Sequence, residues 1–313
     1  MIRFLAIGTI MLITTACSKE KKAQKAANKM QEFVIDISNY ARSFDNDFIV
    51  IPQNGVELAF NQATTEDGIN MPYMNAINGL GVEELFFNGK YSLDKERLDL
   101  LNQLKSSKKI LVSEYVSANS DNFNAFKLNY DQEFICFVRE NSNYNYTLIP
   151  DSVPNENNKD IHELQQVENF LYLISTDNFA SKTEMIQKIS ASNYDLIITD
   201  LFFNDVAFSE TEINQLKTKA NGGKRIVLSY INIGSAEKFR YYWKKGWGLH
   251  HPLWLKKKYE GYEDEFWVKF WKKEWQDIIF GNDNSYIKKI IDAGFDGIYL
   301  DNVEAYYFLY YNN

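Results

Sequence analysis

Eight short apolar runs, separated at fairly even intervals by stretches of helical periodicity, constrain the fold of this chain more than any other feature of its sequence. Most of the runs are apolar almost without interruption, which is typical of strands buried on both faces of a parallel sheet. They cover residues 48–52, 82–87, 110–115, 134–138, 170–175, 196–200, 226–231 and 297–301. Eight strands that alternate with helices predict an α/β fold, a closed (β/α)8 TIM barrel, with an open doubly wound sheet as the main alternative.

Residues 1–17 have the features of a bacterial lipoprotein signal peptide. Arg3 supplies a positive charge, the apolar run 4–13 is too short for a permanent membrane span, and small residues lead into Cys17. We expect Cys17 to carry lipid after cleavage, and an ordinary signal peptide with a chance cysteine is the alternative. The expected location is therefore extracytoplasmic, with the lipid anchor as the chain's only contact with a bacterial membrane.

The rest of the chain reads as one domain behind a short connection. Residues 18–29 are polar and lysine-rich, and predict a tether that runs into the first helix. Apolar residues at steps of three and four predict an amphipathic helix over 30–44. We expect 30–313 to form a single catalytic barrel, and a monomer.

Charge and residue types exclude several classes of function. The formal net charge is −8 and the pI is near 5.1, so no attraction to nucleic acid is expected. The three histidines lack metal-ligand spacing, and no serine or cysteine lies in a nucleophile elbow. We therefore expect no metal and no cofactor, which leaves carboxylate chemistry, most commonly glycoside hydrolysis. Cys136 lies in an apolar run and predicts a buried, inert thiol.

Polar side chains, most of them acids or amides, lie in, end or follow several of the predicted strands, and a barrel carries its active site at the carboxyl ends of its strands. They include Asn54, Glu83, Glu84, Glu114, Asp200, Tyr230, Asn232, Asp301 and Asn302. A strand-end aspartate on its own often caps the next helix, and that alternative stays open for Asp200 and Asp301. Several carboxylates that converge on one barrel mouth are costly unless they have a function, which favours an active site.

All six tryptophans lie between residues 243 and 275. Trp243 and Trp247 belong to a Gly- and Lys-rich stretch without helical period, where exposed rings would suit a platform under sugar rings. Trp267, Trp271 and Trp275 are spaced at four, which predicts one helix face packed on the barrel.

Several long blocks resemble the endo-α-1,4-polygalactosaminidase-like barrels, glycoside hydrolase family 114 and its bacterial relatives. The blocks are LSYINIGSAEKFRYYW (228–243), GFDGIYLDNVEAY (294–306), YARSFDNDFIVIPQNGVEL (40–58), NGLGVEELFF (78–87) and KKILVSEYV (108–116). In the family the SYINIG and GFDGIYLDN blocks come first, whereas here they come last. This order is similar to that of a circular permutation, which would place the helix of 30–44 beside the strand that ends at Asp301.

The resemblance implies an endo-acting hydrolase of an α-linked galactosamine-type or related polysaccharide, with a retaining mechanism. It assigns the nucleophile to Asp301 and the acid/base to Glu83. The candidates for contacts with the substrate or with these acids are Asp200, Glu114, Tyr230, Asn232, Asn54, Asn302, Trp243 and Trp247. Two alternatives remain: a glycan-binding lipoprotein without catalysis, and a carbohydrate deacetylase, which would need a metal site.

Overall fold

The computed structural model describes residues 5–311, with side chains from Lys19 onward. Its helices are α1 (Leu5–Arg42), α2 (Met71–Ala76), α3 (Lys95–Leu104), α4 (Asn122–Asp131), α5 (Lys182–Ser190), α6 (Glu210–Leu216), α7 (Lys273–Ile279), α8 (Tyr286–Asp292) and α9 (Ala305–Phe308). The first strands are β1 (Ile49–Pro52), β2 (Gly79–Tyr91), β3 (Lys109–Val116), β4 (Ile135–Arg139), β5 (Phe170–Leu173), β6 (Leu196–Asp200), β7 (Phe202–Phe203) and β8 (Val206–Ala207). The later strands are β9 (Ile226–Asn232), β10 (Ser235–Glu237), β11 (Leu255–Lys258), β12 (Glu265–Val268) and β13 (Gly297–Asp301).

The predicted strands form two parallel sheets. Five strands pair in the order β1-β13-β9-β6-β5, and three pair in the order β2-β3-β4. A parallel bridge between Gln53 and Gly81 joins the two sheets, and the Asn54 N–H donates a 2.7 Å hydrogen bond to the Gly81 carbonyl. On the opposite side, β4 and β5 have no backbone ladder within the described residues, although the rings of Phe137 and Phe170 pack 5.8 Å apart. The α/β class with parallel strands is therefore confirmed, whereas the fully closed barrel is not shown.

Each of the eight apolar runs contains a strand, and the central strands are buried along their whole length. The strands β1, β6 and β9 have only buried residues, as expected for a sheet covered on both faces. Three of the helices begin at a capping side chain. Asp94, Ser181 and Ser209 each accept a hydrogen bond from the backbone N–H three residues later, at the first turns of α3, α5 and α6.

The first helix is longer than the sequence predicts. Residues 19–29, expected to be a tether, continue α1, and Ala23, Ala26 and Ala27 are buried against the body of the protein. The predicted signal peptide has no described side chains, so lipidation of Cys17 lies outside the described residues. All buried residues of the described chain lie between Ala23 and Leu309, so a chain that starts at Lys19 retains that core.

The two ends of the described chain are neighbours. Strand β1, which follows α1, pairs in parallel with β13, with Ile51 opposite Tyr299. Helix α1 also packs against α8 and α9, the helices on either side of β13. This is the neighbourhood expected for the helix of 30–44.

Three further strands lie between β9 and β13, and they correct the prediction for the tryptophans. Strands β10, β12 and β11 form an antiparallel sheet. Trp267 is part of β12, Trp271 lies in the turn that follows, and only Trp275 belongs to α7. The spacing of four therefore did not mark one helix face, because a turn over residues 269–272 separates β12 from α7.

No helix among the described residues has the length and apolarity needed to cross a membrane.

Candidate active site

A cleft of about 970 Å³ lies at the carboxyl ends of the parallel strands. Its lining has ten carboxylates, two arginines and no lysine or histidine. The acids are Glu83, Glu84, Asp177, Asp200, Asp205, Glu237, Glu260, Glu265, Asp301 and Glu304. Seven tyrosines and three phenylalanines provide the aromatic surface. Such a cleft is strongly anionic and can stack flat rings.

Asp301 ends β13 and is held by neutral donors. The Tyr230 hydroxyl donates a 2.6 Å hydrogen bond to Asp301 Oδ2, and the Asn302 N–H donates a 2.7 Å bond to Oδ1. Burial, together with the negative charge of Glu83, raises the pKa of Asp301 to about 7, although these hydrogen bonds oppose the shift. Asp301 can therefore exchange a proton near neutral pH.

Glu83 lies in β2, across β1 from Asp301, and also has only neutral donors on its carboxylate. Gln53 Nε2 and Asn54 Nδ2 donate to Oε2 at 2.7 and 3.1 Å, and the Tyr146 hydroxyl donates to Oε1. Burial raises the pKa of Glu83, while the hydrogen bond from Tyr146 lowers it. Glu83 and Asp301 are thus two carboxyl groups with raised pKa values in one cleft, and perturbed pKa values concentrate at functional sites.

The backbone next to both acids is in a conformation that L-residues rarely adopt. Asn54 (φ 61°), Glu84 (φ 57°) and Asn302 (φ 59°) all lie in the left-handed region. Asn54 and Asn302 tolerate it better than Glu84, whose carboxylate forms an ion pair with Arg139. Strain of this kind costs about 1–3 kcal/mol per residue and concentrates at functional sites.

Comparison with known proteins identifies the family at this point. The model of glycoside-hydrolase family GH114 matches residues 155–313, half of the chain, including Asp301 and Tyr230. The chain belongs to glycoside-hydrolase family GH114. Glu83 precedes the region that matches the GH114 model.

Three curated proteins, all uncharacterized, are similar to parts of this GH114 chain. One from Methanocaldococcus jannaschii is 40% identical over 124 residues, which is 39% of this chain and 34% of the relative. One from Thermotoga maritima is 33% identical over 119 residues, 38% of this chain and 35% of the relative. One from Deinococcus radiodurans is 30% identical over 121 residues, 39% and 37% respectively. The matched region spans about a third of the length of these relatives.

Of the residues predicted for this GH114 cleft, Asn54, Tyr230 and Asn302 do contact the two acids. Asn54 bonds both the side chain and the backbone of Glu83, since its Oδ1 also accepts a 3.1 Å hydrogen bond from the Glu83 N–H. Asn232 does not line the cleft: its side chain donates to Ser235 Oγ at 2.6 Å and stabilises the turn after β9. Asn232 is therefore a structural residue.

Glu114 was expected to meet substrate, and the structure contradicts this. Its carboxylate is fully buried and accepts hydrogen bonds from the backbone N–H groups of Phe86 and Phe87 and from Asn129 Nδ2. The register between β2 and β3 shifts beyond Glu83, which leaves those N–H groups without a strand partner. Glu114 supplies the missing acceptor.

Asp200 lines the cleft, but its carboxylate is occupied. Arg240 Nη1 donates to Asp200 Oδ2 at 2.7 Å, and Arg240 Nε donates to Glu237 Oε2 at 2.6 Å. The Phe202 N–H also donates to Asp200 at 2.8 Å. Arg240 thus joins Glu237 to Asp200, so Asp200 builds the cleft wall and is not a free partner for a sugar.

The predicted tryptophan platform does not reach the cleft. Trp243 and Trp247 pack edge to face with ring centroids 5.5 Å apart, and Trp247 packs on the buried Trp254 at 5.1 Å. Neither Trp243 nor Trp247 lines the cleft. Their apolar area is used in a cluster behind the antiparallel sheet, and tyrosines line the cleft in their place.

Several cleft residues were not indicated by the sequence. Tyr146 comes from the Asn-rich loop 141–160, stacks on Tyr172 with ring centroids 3.8 Å apart, and reaches Glu83. Tyr172 in turn donates to Gln53 Oε1 at 2.6 Å. Glu265, in the unpredicted β12, has a pKa raised to about 8 by burial and by the charge of Glu237. Aromatic residues in an otherwise polar loop were the one available signal for Tyr146.

The cleft holds no obvious ligand set for a metal. Across the part of the chain that the structure describes, no three His, Cys, Asp or Glu side chains are grouped to hold an ion. Cys136 is a buried free thiol whose pKa is raised by burial, as expected of an inert cysteine.

Proposed function

We propose that this protein hydrolyses O-glycosidic bonds of a polysaccharide, with Asp301 as nucleophile and Glu83 as general acid/base. One observation carries the proposal: in a GH114 chain, these two carboxyl groups face the same cleft, have only neutral hydrogen-bond donors, and have raised pKa values. Of the eight other cleft acids, Glu84, Asp200 and Glu237 form ion pairs with arginines.

In the proposed reaction, protonated Glu83 gives its proton to the glycosidic oxygen while ionised Asp301 attacks the anomeric carbon. The glycosidic bond breaks, and a covalent glycosyl ester forms on Asp301. Glu83 then takes a proton from water, whose oxygen attacks the same carbon and releases Asp301. This retaining mechanism requires carboxyl groups about 5–5.5 Å apart, and a product anomer opposite to the substrate's would contradict it.

The proposed substrate is an α-linked galactosamine-type polymer, cleaved internally. Three of the ten lining acids, Asp177, Asp205 and Glu260, form no ion pair among the described residues, and their charges attract a polymer that carries ammonium groups. The volume of about 970 Å³ is at the upper end for ligand pockets, which favours a chain of sugars over one ring.

Two proposals concern the architecture. We propose that the two parallel sheets form one (β/α)8 barrel, with the Gln53–Gly81 bridge as one seam and the packing of β4 on β5 as the other. We also propose that the chain is circularly permuted within its family. The pairing of β1 with β13 supports this, and so does the family match in the second half of the chain.

We propose that the protein is an extracytoplasmic lipoprotein attached through Cys17, as the sequence of residues 1–17 indicates. Mass spectrometry of the N-terminal peptide from a bacterial membrane fraction should show a diacyl- or triacylglyceryl group on Cys17. The same peptide without lipid, in a soluble fraction, would contradict the anchor.

The experiment uses purified residues 19–313, a panel of galactosamine-containing and other bacterial glycans, and mass spectrometry of the products. We expect oligosaccharide products from the wild type and losses of more than about 10³-fold with Asp301→Asn and Glu83→Gln. The exposed Asp99→Asn variant in α3 is the matched control and should retain activity. Products that persist in both cleft variants would show that other carboxylates act, and binding without any product would favour a glycan-binding protein.

A further inference from the structure

The chain has two lysine-rich segments whose lysines do not line the cleft. Residues 238–259 contain seven basic residues and no acidic one, although the whole chain has a net charge of −8. Residues 19–29, the first described turns of α1, contain five lysines and one glutamate. Positive charge is thus concentrated in two short segments of an otherwise acidic protein.

The structure brings these two segments together around Trp271. Lys29 Nζ lies 4.8 Å from the centroid of the Trp271 ring. The Lys269 N–H donates to the Trp254 carbonyl at 2.8 Å, two residues before Lys256, and the Lys272 N–H donates to the Lys269 carbonyl at 2.9 Å. These three lysines therefore lie on adjacent backbone segments, and the charges of Lys256 and Lys272 help to lower the pKa of Lys269. Lys25 is one helical turn before Lys29 on the same side of α1. We call Lys25, Lys29, Lys256, Lys269, Lys272 and Trp271 the basic patch.

The basic patch has no acidic partners among the described residues. None of its lysines forms an ion pair, whereas Lys273, directly after the patch, pairs with Asp277. Like charges held together without counter-ions cost free energy unless an anionic partner is bound. The patch therefore has the character of a binding surface.

Apolar side chains lie beside these cations. Leu253 is 75% exposed, in the loop that leads into β11 and Lys256. Trp271 is half-buried, and so is Trp247, whose ring lies 5.7 Å from Lys244 Nζ. One exposed leucine is ordinary, but lysines interleaved with tryptophan and leucine are typical of surfaces that enter the lipid headgroup region.

We propose that the basic patch, together with Leu253, binds the anionic surface of a phospholipid membrane. A lysine near such a surface increases partition about fivefold. A single lipid chain gives only reversible anchoring, and a polybasic patch is one of the second signals that make it stable. The proposed lipid site, Cys17, precedes Lys25 by two helical turns of sequence.

The position of the patch also fits the cleft. In α1, Gln31 Nε2 donates to the carbonyls of Leu58 and Phe60, in the segment just beyond the carboxyl end of β1. The patch therefore lies at the end of the sheets that carries the cleft, and lipid binding would hold the cleft close to the membrane surface. The inference goes beyond the proposed hydrolase and does not depend on it.

The test measures co-sedimentation of residues 19–313 with vesicles, so that no lipid anchor contributes. Vesicles of phosphatidylcholine with 30% phosphatidylglycerol are compared with vesicles of phosphatidylcholine alone, at 50 and 500 mM salt. We expect binding to the anionic vesicles only, and its loss at high salt. The triple variant Lys29→Gln, Lys256→Gln, Lys269→Gln should bind about 100-fold more weakly, and Leu253→Ser should also bind more weakly.

The matched control replaces three exposed lysines elsewhere, Lys90→Gln, Lys127→Gln and Lys224→Gln, and should bind like the wild type. Both triple variants should keep the wild-type circular dichroism spectrum and melting temperature, and their cleavage of soluble glycan should be unchanged. Equal losses of vesicle binding in the two triple variants would mean that binding depends only on the net charge of the protein, which would overturn the proposal. It would also be overturned by absence of vesicle binding, or by binding to a soluble anionic polysaccharide but not to vesicles. Vesicle binding by a protein that shows no hydrolase activity would contradict the proposed function and leave the membrane-binding proposal standing.

Discussion

Replacing Tyr230 with phenylalanine removes one hydroxyl, which donates the 2.6 Å hydrogen bond to Asp301 Oδ2. The ring itself is buried in β9 and would keep its packing. The hydroxyl stabilises the ionised form of Asp301, so its loss raises the pKa of Asp301 above about 7. In the proposed reaction Asp301 must be ionised while Glu83 holds a proton.

The size of the effect follows from the competition of two carboxyl groups for one proton. Hydrogen-bond donors to Asp301 favour its ionised form, which the reaction needs. Donors to Glu83 favour the ionised form of Glu83, which leaves it without the proton that it must give. A hydrogen bond to a charged group contributes about 1.5–3 kcal/mol, which is roughly a 10- to 100-fold change in the proton distribution. Tyr230→Phe should therefore lower kcat/KM about 10- to 100-fold near pH 7.

Tyr146→Phe is the matched opposite change, because the Tyr146 hydroxyl donates to Glu83 Oε1. Its ring would still stack on Tyr172. We expect this variant to retain or increase kcat/KM near pH 7, because the proton on Glu83 is favoured. The assay is kcat/KM from pH 5 to 9 on a glycan that the wild type cleaves. Loss in Tyr146→Phe with full activity in Tyr230→Phe would mean that Glu83 is the nucleophile and Asp301 the acid. No change in either variant would refute the shared-proton argument.

Two predictions concern stability. Burial raises the pKa of Glu265 and Glu304 to about 8 and of Asp301 to about 7, so the folded chain binds more protons than the unfolded chain from about pH 4 to pH 8. The stability that these groups contribute is therefore complete below about pH 4 and should be lost as the pH rises to 8.5, which melting temperatures would show. Glu265→Gln should flatten the curve, and a rise in stability between pH 5 and 8.5 would contradict the prediction. Arg240→Met leaves two buried carboxylates without their cation and should cost about 3–5 kcal/mol of unfolding free energy in urea titrations, with Arg240→Lys between it and the wild type. A loss of unfolding free energy below about 1 kcal/mol would show that the ion pairs of Arg240 with Asp200 and Glu237 are not structurally important.

The strands of this fold could be predicted because their apolar runs are fixed by burial on both faces. Strand β4, Ile135–Arg139, is one example, since all five of its residues are buried. The antiparallel sheet β10–β12 could not be predicted, since the short strand Leu255–Lys258 has three consecutive lysines and looks like a solvated turn. The presence of Lys257 in a strand becomes clear only from its tertiary contacts, since its Nζ donates to the carbonyls of Phe308 and Tyr311.

The candidate site was predicted at Asp301, where the resemblance and a strand end agree, and at Glu83, which the resemblance alone assigned and which lies inside β2. Sequence could not show which acids have partners. Glu114 and Asp200 stand at strand ends like Asp301, but their hydrogen-bond donors come from Asn129 and Arg240, on other elements. Tyr146 was missed for the same reason, since its loop reaches the cleft only through the tertiary fold.

The cleft therefore contains two kinds of carboxylate. One kind forms an ion pair with a fixed guanidinium, as Glu84 does with Arg139. The other kind, which includes Asp301, Glu83 and Glu265, has hydrogen bonds only from neutral groups, and burial raises the pKa of each. A cleft with this many acids can stay folded because arginines balance the first kind and protons the second. The protons are the ones that chemistry can use, which is why the partner of each carboxylate, more than its place at a strand end, identifies the residues that would act on a glycan.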